Sequence, residues 1–177
     1  ALLPELAPVW KEAGRVALEV GDAPQAEAWF ERACSLSPSD PQGWIGAARA
    51  ALACGNTRQA SERAESALRL APDDPDVLMG HGEILERKGR TAEALEAFDR
   101  ALAVATDSFA VQLAKSRLLH RIGHSAEAAA ALRAALDETS TADEPWAVLA
   151  EMCEAAGDLS AGWEAAVHAA RLAPRDP

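Results

Sequence analysis

The residues best equipped for chemistry are arginines that recur at a fixed interval. Arg15, Arg49 and Arg117 occupy one position of a 34-residue period, and Arg121 stands a helical turn beyond the last. A guanidinium presents a planar fork of donors that matches a carboxylate, so this row concentrates basic charge able to hold acidic groups. Lys11 adds a further cation. Ile45, Met79 and Leu113 also step by 34 and form an apolar stripe. Together the two rows suit an extended or helical peptide with apolar anchors and acidic flanks. The opposing reading is that the arginines pair with Glu19, Glu83 and their neighbours, since surface ion pairs are common and weak, while the stripe packs between adjacent helices.

Other candidate chemistry is sparse. His120 and His124 have a metal-like spacing, but Gly123 lies between them at a helix end and no third ligand is apparent, so no metal is expected. His81 reads as a hydrogen-bonded core residue and His168 as an exposed one. Cys34, Cys54 and Cys153 are odd in number and contain no CxxC, and are read as buried free thiols. That leans to a cytoplasmic location, with the periplasm as the alternative. No phosphate loop, nucleophile elbow or pair of catalytic carboxylates occurs. Neither catalysis nor a cofactor is therefore expected.

Charge narrows the partner classes. The chain has 28 acidic and 17 basic residues, a net charge of −11 and an isoelectric point near 4.8, which repels phosphates of nucleic acids and anionic lipid heads. No apolar run approaches the roughly 20 residues of a membrane helix. The Ala-rich, Tyr-free composition points to a GC-rich bacterial source.

The elements that must position these residues are helix pairs. In the stretch from Pro75 to Ala105, Asp74 can cap a first helix that opens on Pro75, Gly89 can end it in the left-handed conformation, and Thr91 can cap a second. Leu78, Gly82 and Leu85 share one face of the first helix; Ala94, Leu95, Phe98, Ala101 and Leu102 share one face of the second. The turn glycine recurs as Gly21, Gly55, Gly89, Gly123 and Gly157 with no insertion between copies. Small residues recur at Ala26, Ala60, Ala94, Ala128 and Gly162, and at Gly14, Ala48, Gly82, Ser116 and Ala150. Trp10, Trp44, Leu78 and Trp146, with Phe30, Phe98 and Leu132, fill the layers between. Pro38, Pro72 and Pro174 close units.

This pattern resembles the tetratricopeptide repeat. The resemblance covers Ala7 to Asp176 and implies an all-α fold, a solenoid of antiparallel helix pairs wound into a right-handed superhelix. The expected divisions are a tail of a preceding repeat at 1–6 and repeats at 7–40, 41–74, 75–108, 109–142 and 143–176. The second repeat is expected to be thinly packed, because Ala51 and Ala64 stand at large-residue positions. The fourth diverges most: Gln112 and Lys115 replace apolar residues, and the polar stretch 137–143 implies a shortened helix and longer linker. Pro4 and the closing Arg-Asp-Pro ending in Pro177 look like parts of neighbouring repeats, so a segment of a longer array is expected.

In this family the first helix of each unit lines a concave groove. The resemblance therefore places Lys11, Arg15, Ile45, Arg49, Met79, Leu113, Arg117 and Arg121 on a partner-binding face, with Glu144, Glu151 and Glu154 reversing the sign in the fifth unit. A carboxylate clamp of the kind some relatives use is not expected, since Lys11 fits but Arg15 stands where Asn is needed. The implied function is a protein-interaction scaffold. The alternatives are a substrate-presenting arm of a larger enzyme, glycosyltransferase-like or sulfotransferase-like, and self-assembly through an uncovered last helix bearing Trp163, Val167 and Leu172.

Overall fold

A computed structural model of the chain describes residues 6–105, 108–136 and 142–173. The described residues form ten α-helices and no strand: α1 Ala7–Glu19, α2 Ala23–Leu36, α3 Pro41–Ala53, α4 Thr57–Leu70, α5 Pro75–Arg87, α6 Thr91–Val104, α7 Phe109–Arg121, α8 Ser125–Ala135, α9 Glu144–Ala156 and α10 Leu159–Leu172. The features read at Pro4, Pro174 and Pro177, and most of the polar stretch 137–143, lie outside the described residues.

One turn recurs between the two helices of every pair. Gly21, Gly55, Gly89, Gly123 and Gly157 all have positive φ, between 74° and 91°. The residue after each glycine then donates back into the preceding helix: Asp22 N–H to the Ala17 carbonyl at 2.8 Å, Asn56 to Ala51 at 2.8 Å, Arg90 to Leu85 at 2.9 Å, His124 to Leu119 at 2.9 Å and Asp158 to Cys153 at 2.9 Å. Carbonyls that a helix end would leave unpaired are thereby satisfied, and the chain reverses within three residues. This closure also corrects the expectation for Thr91. Arg90 is consumed by the turn, so Thr91 is the first helical residue and caps nothing. Asp74 does cap α5, accepting from the Asp76 and Val77 amides at 3.0 Å each.

The chain divides into two compact units between residues 106 and 107. In the first, α1 packs on α2, α3 on α4 and α5 on α6, while α2 meets α3 and α4 meets α5. The core depends on close approach of helices. The Phe30 ring lies 2.7 Å from where a Cβ on Gly14 would be, and 2.1 Å from where one on Gly46 would be, so α2 inserts an aromatic between two backbones. The expectation of loose packing around Ala51 and Ala64 is not met: both are fully buried and share a cluster with Ile45, Val77 and Ile84. Branched side chains from neighbouring first helices take up the volume that the alanines give back.

In the second unit α7 packs on α8, α8 on α9 and α9 on α10. Helix α8 has 11 residues against 14 in α2, α4, α6 and α10, matching the expected shortening. His168 departs from expectation, stacking on Trp146 with centroids 4.6 Å apart and only half exposed. An indole face left open on α9 attracts the flat imidazole from the second helix of the same pair.

Two outcomes check this account. Gly46→Ala should cost about 3 kcal/mol through overpacking against Phe30, whereas Gly123→Ala, with open space but φ of 91°, should cost only about 1 kcal/mol; urea unfolding of both variants measures the difference. His81 has its basicity lowered, chiefly by burial, so the folded state binds that proton less readily than the unfolded one. Stability should therefore be complete above the ordinary imidazole value of about 6.5 and fall as pH drops below it. His81→Leu should remove that part of the pH dependence of unfolding.

Candidate functional site

Three of the expected cations gather in the first unit. Lys11 and Arg15 come from α1 and lie a turn apart; Arg49 comes from the facing α3. With Gln42, Phe30 and Ile45 they line an open hollow of about 260 Å³. Each cation already has a carboxylate partner. Lys11 Nζ is 2.5 Å from Asp40 Oδ2, and Arg49 Nε donates to Glu83 Oε2 at 2.8 Å. Arg15 is held by Glu12, with Nε to Oε2 at 3.1 Å, and by Glu19. The hydrogen bond from Arg15 lowers the Glu12 carboxyl below its usual range and raises the guanidinium's own. The guanidiniums of Arg15 and Arg49 thus line the hollow and pair with local glutamates at the same time. Arg49 Nη2 is buried and has no partner.

The apolar stripe behaves otherwise. Ile45 is 1% exposed, with its side chain lying where a Cβ on Gly80 would sit. It is packed between α3 and α5 and is a floor of the hollow, not an anchor reaching into solvent. Met79 and Leu113 are half-buried. In the second unit Arg117 is exposed and pairs with Glu144 of α9, and Arg121 is also exposed.

The histidine pair is split. His120 Nδ1 lies 2.9 Å from Ser125 Oγ, while His124 faces Glu127 at 3.4 Å. Among the described residues no group of three or more His, Cys, Asp or Glu could hold a metal, and no helix is long and apolar enough to cross a membrane. The three cysteines are free; burial pushes the Cys34 thiol up to about 11 and raises Cys54 and Cys153 too.

Sequence reasoning missed Arg63. Its residue is 8% exposed, on α4, and it donates to Glu27 Oε1 at 2.8 Å, to the Ala47 carbonyl at 3.1 Å and to Glu31. One cation thus ties α2, α3 and α4 together. The signal was present as an Arg one period from Trp29 and Ala97, a position otherwise apolar.

This arrangement defines an all-α array of helix pairs with a cationic hollow on its first helices. The chain belongs to the tetratricopeptide repeat family: one family model of that description matches residues 7–50 and another matches residues 45–110. No curated protein matches the sequence significantly. Among solved structures, the chain is similar to TTC0263, a thermophilic TPR protein of Thermus thermophilus, with TM-score 0.82 and 24% identity over 96% of this chain and 93% of that one. It is similar also to pilF of Pseudomonas aeruginosa, with TM-score 0.80 and 16% identity over 97% and 78%. A third is YrrB, described as a TPR protein with an unusual peptide-binding site, at TM-score 0.63 and 17% identity over 93% and 85%. These likenesses establish the fold.

Removing Arg63 would take the cation from Glu27 and Glu31 and the side-chain donor from the Ala47 carbonyl. Arg63→Ala should destabilise the first unit by about 3 kcal/mol, with Arg63→Met less costly because it refills the volume; denaturant unfolding of the two variants checks the order.

Proposed function

We propose that the chain is a protein-interaction scaffold whose first unit holds an acidic peptide segment in the hollow between α1 and α3. What carries the reading is the convergence of Lys11, Arg15 and Arg49 beside an apolar floor in a chain of net charge −11. A protein this acidic has no general affinity for anions, so three cations around one hollow mark a place where an acidic group is favoured locally.

The existing pairs do not block such a ligand. A guanidinium has five donors and can serve a second carboxylate. The Arg15 pairs are exposed, with side-chain accessibility of 54% and above, and exposed pairs are worth about 1 kcal/mol or less. A ligand carboxylate can share or displace them cheaply. The Arg49 pair is more sheltered and fixes that side chain over Gly80, so Arg49 serves as a preorganised donor. Phe30 and Ile45, 5% and 1% exposed, close the base of the hollow beneath these cations. Arg117 and Arg121 offer a separate acidic-segment site on the second unit. The boundaries at 40, 74, 108 and 142 are proposed as those of the repeats that deliver these residues.

Fluorescence anisotropy with a labelled peptide alternating Glu and Leu tests the reading against its Gln and Leu counterpart. The acidic peptide should bind more tightly, and Arg15→Glu with Arg49→Glu should weaken it by about tenfold or more, as loss of charge-assisted bonds requires. Equal binding of both peptides, or binding unchanged by the double reversal, would exclude the hollow as the site.

A further inference from the structure

We infer that a second hollow, between α2, α3 and α4, takes an aromatic side chain flanked by a lysine or arginine on a partner protein. Trp44 and Ala47 of α3 line it, and at about 100° per residue they stand on the helix face opposite Gln42, Ile45 and Arg49 of the first hollow. The two hollows are thus separate sites. Cys34 and Pro38 of α2 form a second wall, Arg63 of α4 lies at the base and Glu31 stands at the rim, around about 460 Å³ of open space. That is room for a ring, in the range of pockets that hold small organic groups. Each of these helices has a neighbour before and after it in the first unit, α1 against α2 and α5 against α4.

Small residues beside a tryptophan give this hollow its shape. Leu68, Leu102 and Leu136 take the place of Cys34 in the later repeats, and His81, Lys115 and Leu149 take that of Ala47. Of these four copies, only the first leaves both positions small. The indole beside them is held in place, because Trp44 Nε1 donates to the Pro38 carbonyl at 2.8 Å while the residue stays only part-buried. A flat apolar wall whose one donor is already used favours an aromatic ring over a polar group.

Charge selects what flanks that ring. Arg63 is 8% exposed and directs donors to Glu27, to Glu31 and to the Ala47 carbonyl, so it has little to offer an incoming anion. Two carboxylates share this one guanidinium, which leaves the cluster with negative charge in excess. Glu31 keeps 56% of its side chain exposed, and a carboxylate can accept from a second donor. An ammonium or guanidinium next to the seated ring is therefore favoured. A free amine would leave the outer side of its ring in water, whereas a partner chain covers that side, so the occupant is a protein segment.

The test uses the whole chain with isotope-labelled tryptophan, the Trp44 indole signal in the NMR spectrum being identified by its loss in Trp44→Phe. A peptide alternating Phe and Lys should shift that signal and leave the Trp163 signal in place. An Ala and Lys peptide should bind about tenfold more weakly or worse, having no ring to bury. Glu31→Gln should weaken the Phe and Lys peptide by about fivefold; Glu27 still holds Arg63 in this variant, so the fold is kept. Ser35→Arg places at the exposed rim the residue that the next repeat carries at 69, and should remove the Trp44 shift. Cys34→Leu, borrowed in the same way from 68, should do so without adding charge. The inference is overturned if the Trp44 signal does not move, or if neither filling variant removes its shift. It is overturned also if Glu31→Gln changes nothing, or if the Ala and Lys peptide binds as tightly, which would mean attraction to the acidic chain alone. Free phenethylamine binding as tightly as the peptide would make the hollow a small-amine pocket and exclude the protein segment.

Discussion

Everything else in this fold rests on how closely two helix backbones can come together. A pair of short helices cannot bury its apolar face alone, and stacking pairs closes that face only where one side of each contact is nearly without a side chain. Phe30 between Gly14 and Gly46 is the sharpest instance, and Phe98 against Gly82 repeats it. The turn glycines serve the same end. Their positive φ allows a reversal within three residues, which sets the second helix against the first at the register the small residues need.

Polar groups follow from that packing more than they direct it. Close helices bring side chains one period apart into reach, as with Arg49 and Glu83, or nearly so, as with Arg63 and Glu27. The same geometry yields two different results. Arg63 is engulfed and becomes a tie between three helices; Arg15 stays exposed on α1 and pairs only with Glu12 and Glu19 of its own helix. An exposed, locally paired cation and a structural ion cluster therefore arise from one residue type, separated by the direction in which the repeat points it. The hollow takes Lys11 and Arg15 from α1, Arg49 and Ile45 from α3 and Phe30 from α2, so its cations all stand on first helices while its floor draws on both helices and on two adjacent pairs.

How much was legible in the sequence varied with the kind of contact. Helix pairing, the glycine turns and the family resemblance were readable because they depend on local chemistry repeated five times, and the repeated pattern outweighs any single substitution. The Asp74 cap was readable for the same reason. Thr91 was misplaced by one position, since a Schellman-type turn uses one residue more than a simple cap does. Ile45 could be assigned to a stripe from its spacing, but whether that stripe faced solvent or the next helix depended on Gly80, a residue 35 positions on whose missing side chain leaves room for it.

The sequence by itself determined the class of fold, the register of its helices and the residues that form its charged and apolar rows, because each follows from periodicity and from backbone preferences acting over a few residues. Only the tertiary structure decided which members of those rows are exposed. Burial of Arg63 and Ile45, the pairing of Lys11 with Asp40, and the stacking of His168 on Trp146 are all set by what the neighbouring helix brings within a few ångströms. Spacing along a chain fixes the face of a helix; the size of the residue opposite decides whether that face is closed.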